Sequence, residues 1–113
     1  MTHRMNLQAD PFMMIKSGCK TIELRLYDEK RRAIAVGDRI LFSHADTGEE
    51  LCCTVTALYP FPSFAALYKA LPLLACGYTE ETVKNASPGD MARYYSPEEE
   101  QRLGVLGIGI KCL

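Results

Sequence analysis

Lys20, Glu23 and Arg25 are the residues of this chain whose types and spacing most readily do chemistry. Read as a strand, the stretch alternates: Ile22, Leu24 and Leu26 face one way, and Thr21, Glu23 and Arg25 the other. Lys20 enters that strand from a glycine turn at Gly18. Alternate strand residues stand roughly 7 Å apart, so an ammonium, a carboxylate and a guanidinium gather on one sheet face. Three such groups could grip a phosphate, a base edge or a small polar substrate. Arg25 can hold a phosphate or carboxylate through two parallel hydrogen bonds. Glu23 can orient Lys20, act as a general base, or accept from a base amino group. The same three side chains also fit a solvated ladder on a wet strand face, worth less than about 1 kcal/mol per pair.

Arg93-Tyr94-Tyr95 offers a cation and two rings. Aromatic rings stack nucleobases for about 1–3 kcal/mol each, although adjacent tyrosines more often place one ring in the core and one at the surface. Gly107 and Gly109 leave one face of a strand bare at two successive positions. That fits the floor of a cleft, a bulge or barrel corner, or a helix packed close. Lys30, Arg31 and Arg32 form a solvated run or a backbone-contacting arm, and Glu98 to Glu100 suit a helix N-terminus. No Ser-His-Asp, Cys-His, P-loop or dinucleotide fingerprint is present.

The elements that must position these residues follow from local signals. Asp10-Pro11 reads as a cap and first helical residue, opening a helix through Lys16 that stops at Gly18. A first strand spans Thr21 to Tyr27, and a charged loop runs from Asp28 to Ala35. Val36-Gly37-Asp38 turns into a second strand, Arg39 to His44. Asp46-Thr47-Gly48 turns into a third, Leu51 to Tyr59, which Pro60 and Pro62 end. Ser63 caps an amphipathic helix, Phe64 to Leu71, with Phe64, Leu67 and Leu71 at core spacing. Residues 72–90 are less decisive: Thr79 can cap a short helix through Lys84, and Ser87-Pro88-Gly89-Asp90 is a turn. Ser96-Pro97-Glu98-Glu99 is a capping box opening a helix that ends at Gly104, and Val105 to Cys112 is the last strand. Short strands with inserted helices and no βαβ rhythm point to one α+β domain around a curved or closed sheet.

Composition bounds the partners. The 113 residues, 48% hydrophobic and 24% charged, suit one globular domain, residues 1–113. A net charge of -1 argues against strong duplex DNA binding. Charge is uneven, however: residues 16–39 hold seven Lys/Arg against four Asp/Glu, or +3, leaving six against ten, or -4, elsewhere. A small anionic ligand or a short single strand fits that pattern better than a long duplex. The five cysteines are an odd set without a C-x-x-C pair, and no secretory signal precedes them. They read as reduced, buried thiols of a cytoplasmic protein. His3 and His44 have no partner at metal-ligand spacing, so no metal and no cofactor are expected. No apolar run approaches a membrane span.

The motif Gly18-x-Lys20-x-x-Glu23-x-Arg25, followed by Gly37-Asp38-x-Ile40-x-Phe42, resembles the ASCH domain family. The Tyr94-Tyr95-Ser96 helix entry and the closing strand from Val105 to Ile110 fit as well, so the likeness runs from about Leu7 to the C-terminus. The resemblance implies a PUA-like curved or closed mixed β-barrel, with short helices packed over a cleft, and a role on RNA or its nucleosides. Some members belong to transcription coactivators. A small bacterial branch hydrolyses N4-acetylcytidine with the lysine of the Gly-x-Lys motif, here Lys20, and with a threonine where this chain has Glu23. A third catalytic residue of that branch, a glutamate, has no clear counterpart.

Two expectations follow. The leading one is a small RNA- or nucleotide-binding module: Lys20 and Arg25 contact phosphate or a base carbonyl, Glu23 accepts from a base amino group, and Arg93, Tyr94 and Tyr95 complete the ligand site. The alternative is a hydrolase acting on a modified nucleoside, with Lys20 and Glu23 as the catalytic pair.

Overall fold

Residues 1–112 are described by a computed structural model. The elements follow in the order β1 (Thr2–Leu7), α1 (Ala9–Ser17), β2 (Ile22–Leu26), α2 (Glu29–Arg32), β3 (Arg39–His44) and β4 (Glu50–Phe61). Next come α3 (Phe64–Ala70), two 3-10 turns (Thr82–Asn85 and Pro88–Arg93), α4 (Pro97–Leu103) and β5 (Val105–Cys112). The strands form one sheet in the order β1-β3-β4-β5-β2. Only the β1–β3 pair is parallel. The result is an α+β fold on a curled, five-stranded half-barrel. The curved alternative therefore holds: β1 and β2 remain as edges, and the sheet does not close.

Alternation along β5 builds two cores. Leu106, Ile108 and Ile110 join Phe12 and Ile15 of α1, with Ile40, Phe42 and Val55, on one face. Val105 joins Phe64 and Leu67 of α3, with Ile22, Leu24 and Leu26, on the other. Phe12, Phe42 and Phe64 are almost wholly buried, worth about 1.5–3 kcal/mol each relative to exposure. Ser63 caps α3 by accepting from the Ala66 N–H, and Ser96 and Glu99 form the expected capping box on α4. Glu100, on α4, also accepts from the Phe64 N–H at 2.8 Å and so serves the start of α3.

Several expectations need correction. β1 was not anticipated. Its buried residues are His3, Met5 and Leu7, and His3 is inside because its ring meets Asp38 at 2.8 Å. Helix α1 starts at Ala9 with Gln8 before it, so Asp10 lies in the first turn and is not the cap. The charged loop contains a short helix, α2, because Asp28 accepts from the Arg31 N–H. Lys30 and Arg32 are exposed, as a solvated run requires, yet each basic side chain is also fastened to the fold. Lys30 donates to the Arg4 carbonyl, Arg31 pairs with Asp28, and Arg32 donates to the Tyr27 and Leu103 carbonyls.

β4 continues through Pro60 to Phe61. Its partner β3 pairs only as far as Thr54, and beyond that residue β5 alone pairs with it. At such an edge a missing N–H costs no ladder bond. Gly107 and Gly109 do not floor a cleft. A methyl at 107 would meet Leu71 Cδ1 at 2.8 Å, at the end of α3. Gly109 faces Thr56 and Ala57, at the bulge of β4. Finally, Cys53 and Cys112 are cross-strand partners joined in a disulfide, which overturns the expectation of five reduced thiols.

Candidate functional site

A glycine turn starts the site. Gly18 takes a left-handed conformation, φ 86°, and its N–H closes α1 on the Ile15 carbonyl. The chain then reverses. Thr21 and Ile22 both donate to the Ala75 carbonyl, at 2.9 and 3.0 Å, so a segment from far along the sequence is fastened to the start of β2. That segment covers Lys20: Gly77 sits against it so closely that a methyl there would be 3.2 Å from Lys20 Cδ.

Within β2 the period-two reading holds. Ile22, Leu24 and Leu26 enter the α3 core, while Glu23 and Arg25 stand opposite Ile108 and Leu106 and share their face. Lys20 Nζ lies 2.7 Å from Glu23 Oε1, and Arg25 Nε lies 2.9 Å from Glu23 Oε2. Arg25 also donates through Nη2 to the Asn6 carbonyl at 2.9 Å. The side chains of Lys20, Glu23 and Arg25 are 10%, 5% and 15% exposed, which rules out a solvated ladder. Burial by itself would raise the Glu23 carboxyl, but the Lys20 ammonium and Arg25 guanidinium outweigh it and hold the group below its ordinary value. Glu23 is thus an ionised carboxylate between two cations, and the trio carries one surplus positive charge.

The trio borders a cleft of about 970 Å³. One wall is the end of β1 and the first turns of α1; the other is the chain between Cys76 and Tyr95. All six residues singled out in the sequence line it: Lys20, Glu23, Arg25, Arg93, Tyr94 and Tyr95. The two tyrosines divide as adjacent rings commonly do. Tyr95 packs against Phe64 with ring centres 6.0 Å apart, and its burial raises the phenol. Tyr94 is 53% exposed, with the Arg93 guanidinium 5.8 Å from its ring centre.

The sequence reading missed the far wall. Tyr68, Tyr78 and Asp90 form a hydrogen-bonded chain there, with Tyr68 and Tyr78 hydroxyls at 2.8 Å and Tyr78 donating to Asp90 Oδ2 at 2.6 Å. In the sequence Asp90 reads as part of a turn, and nothing singles out Tyr68 or Tyr78. No local pattern announces them, because the three meet only through the packing of α3 against the 3-10 turns. Cys76 borders the cleft too; burial pushes its thiol up to about 11. Among the described residues, no group of three or more His, Cys, Asp or Glu is arranged to hold a metal ion. Nor is any helix long and apolar enough to cross a membrane.

Residues 5–112 match the family model of the ASCH domain. The chain belongs to the ASCH domain family. The crystal structure of a hypothetical protein, PH0355, is 34% identical, with a TM-score of 0.82 and full coverage of both chains. The solution structure of protein PF0455 from Pyrococcus furiosus is also 34% identical, with a TM-score of 0.74, covering 100% of this chain and 98% of that one. The ASCH crystal structure from Zymomonas mobilis shares the fold at 16% identity and a TM-score of 0.65, covering 97% of this chain and 66% of that one. No curated protein matches. ASCH domains have a PUA-like fold and are suggested to bind RNA.

Proposed function

We propose that this ASCH domain binds single-stranded RNA, or a nucleoside or nucleotide unit of it, in the cleft above β2. The observation that carries this reading is the buried trio. Glu23 neutralises one of two cations, so Lys20 and Arg25 keep one net positive charge and uncommitted N–H donors facing the cleft. Those donors suit a base carbonyl or a phosphate. Glu23, ionised, accepts from a base amino group. Tyr94, exposed at the rim, offers a face for stacking.

The lining charges argue for few phosphate contacts. Lys20, Arg25 and Arg93 are set against Asp10, Glu23, Glu81 and Asp90, three cations to four carboxylates. A groove that tracks a long backbone needs a basic surplus, which this cleft lacks. Calorimetric titration of short single-stranded oligoribonucleotides and single nucleosides tests the reading. Binding is expected, with loss of at least tenfold in Lys20→Ala; equal affinity in wild type and variant would contradict it.

A second reading is favoured by the 2.7 Å contact between Lys20 and an ionised carboxylate in a cleft with room for a nucleoside. It is hydrolysis of an amide on a modified nucleoside such as N4-acetylcytidine. Glu23 would take a proton from a water as that water adds to the acyl carbon, and Lys20 would give a proton to the N4 nitrogen as the C–N bond breaks, releasing cytidine and acetate. Chromatographic detection of cytidine and acetate, abolished in Lys20→Ala and Glu23→Gln, would establish turnover. Unchanged substrate at high protein concentration would exclude it.

A further inference from the structure

The hydrogen-bonded chain Tyr68–Tyr78–Asp90 has a direction that bears on what the cleft selects. Asp90 Oδ2 accepts from the Tyr78 hydroxyl at 2.6 Å and from the Ser87 N–H at 3.1 Å. Its carboxyl is held low, first by that Tyr78 bond, so Asp90 supplies no proton of its own. Tyr78 therefore spends its single proton on Asp90. The 2.8 Å contact between Tyr68 and Tyr78 then has one consistent assignment, with Tyr68 donating. Both phenol groups are shifted upward by burial first, so both protons stay in place. With its proton committed, the Tyr68 hydroxyl has only lone pairs left to offer.

Tyr68 lines the same cleft as Lys20 and Arg25, whose free positions are N–H groups alone. The site thus presents donors from Lys20 and from Arg25 on β2, and a fixed acceptor from α3. We propose that Tyr68 is a specificity-determining residue: its hydroxyl accepts from a ligand N–H while Lys20 and Arg25 donate to a ligand carbonyl. The cleft then selects a base edge carrying both groups, as uracil and guanine do, over adenine, which has no carbonyl. The inference rests on the reading of the cleft as a nucleobase site. It assigns Tyr78 and Asp90 a positioning role, since they set the direction of the Tyr68 hydroxyl without needing to touch the ligand.

The experiment is calorimetric titration of uridine, 3-methyluridine and adenosine into wild type, Tyr68→Phe and Asp90→Asn. 3-Methyluridine keeps both carbonyls and loses only the N–H. Wild type is expected to favour uridine over 3-methyluridine by about tenfold, roughly the worth of one hydrogen bond. Tyr68→Phe keeps the ring and should bring that ratio near one. Asp90→Asn keeps both rings but can donate into the chain, and should also shrink the ratio, so it decides the matter if Tyr68→Phe folds poorly. A ratio unchanged in the variants would mean that the methyl group is excluded by bulk, and would overturn the role of Tyr68. Equal binding of all three nucleosides to wild type would overturn it too while leaving the cleft a nucleobase site. No binding by any nucleoside would remove both readings.

Discussion

Arg25 on β2 donates to the main-chain carbonyl of Asn6 on β1 at 2.9 Å, while its Nε holds Glu23 at 2.9 Å. β1 and β2 are the two edges of the sheet, so one guanidinium ties the curl together and fixes the carboxylate of the candidate site. An open sheet with exposed edges offers unpaired main-chain groups; here a side chain satisfies one of them. Arg25→Ala would take away both contacts and leave Glu23 buried with a single cation. The expected loss is about 3 kcal/mol, at the lower end for breaking a buried pair because Arg25 keeps some exposure. Arg25→Lys should fall between, since an ammonium cannot fork to both oxygens. Urea unfolding of the three proteins measures this.

Glu23 also gives the fold an acid sensitivity of known sign. Its folded value lies below the ordinary 4.5, because two cations outweigh burial. The stability it contributes is complete above pH 4.5 and is lost as pH falls through the lower, folded value. Asp38 and Asp90 are lowered as well and add to the same slope. Thermal unfolding followed from pH 7 to pH 2 should therefore show a steeper acid decline in wild type than in Glu23→Gln. Parallel curves would mean that Glu23 does not titrate differently in the folded state.

The cysteines are predicted to react in a definite order. Cys19 is exposed, whereas Cys76 is buried with its thiol raised to about 11, so alkylation at pH 8 should modify Cys19 first and spare Cys76 until unfolding. Cys53 and Cys112 should become reactive only after reduction. Their bond spans a sequence separation of 59, and reduction should lower stability by about 4 kcal/mol on the chain-entropy view. Mass spectrometry of alkylated peptides, with and without reductant, checks each point.

Gly77 is the position where backbone and site meet. Its φ of +111° disfavours any side chain, and a methyl would press on Lys20 Cδ. Gly77→Ala should cost about 1–2 kcal/mol in stability and should also weaken ligand binding, by displacing Lys20. Gly37→Ala, strained at φ +95° but with nothing near the new methyl, should lose stability and keep binding. Comparing the two separates strain from displacement.

What could be read from sequence was what local chemistry specifies. Arg39–His44, the caps at Ser63 and Ser96, and the strand from Val105 follow from short-range periodicity and capping, and each appears in the fold. The alternation of Ile22 to Leu26 placed Glu23 and Arg25 on one face correctly. Their burial was not legible, because it depends on Gly77 and the chain around it closing over β2. β1 escaped notice for a similar reason: His3 counts as an inward residue only once Asp38 is beside it. The wall formed by Tyr68, Tyr78 and Asp90 joins three elements, two of them short 3-10 turns or irregular chain with no hydrophobic period to read. The disulfide likewise needed the register that sets Cys53 opposite Cys112.

The most direct test of the cleft as a ligand site is the salt dependence of binding to a short single-stranded RNA, in wild type and in Lys20→Ala. Three cations line the cleft and Glu23 offsets one of them. At most two phosphates are then neutralised, and log K should fall against log salt with a slope no steeper than about -1.4, from about 0.7 per phosphate. Lys20→Ala should lose at least tenfold in affinity and flatten that slope. No RNA binding, or binding that Lys20→Ala leaves unchanged, would contradict the assignment of this cleft.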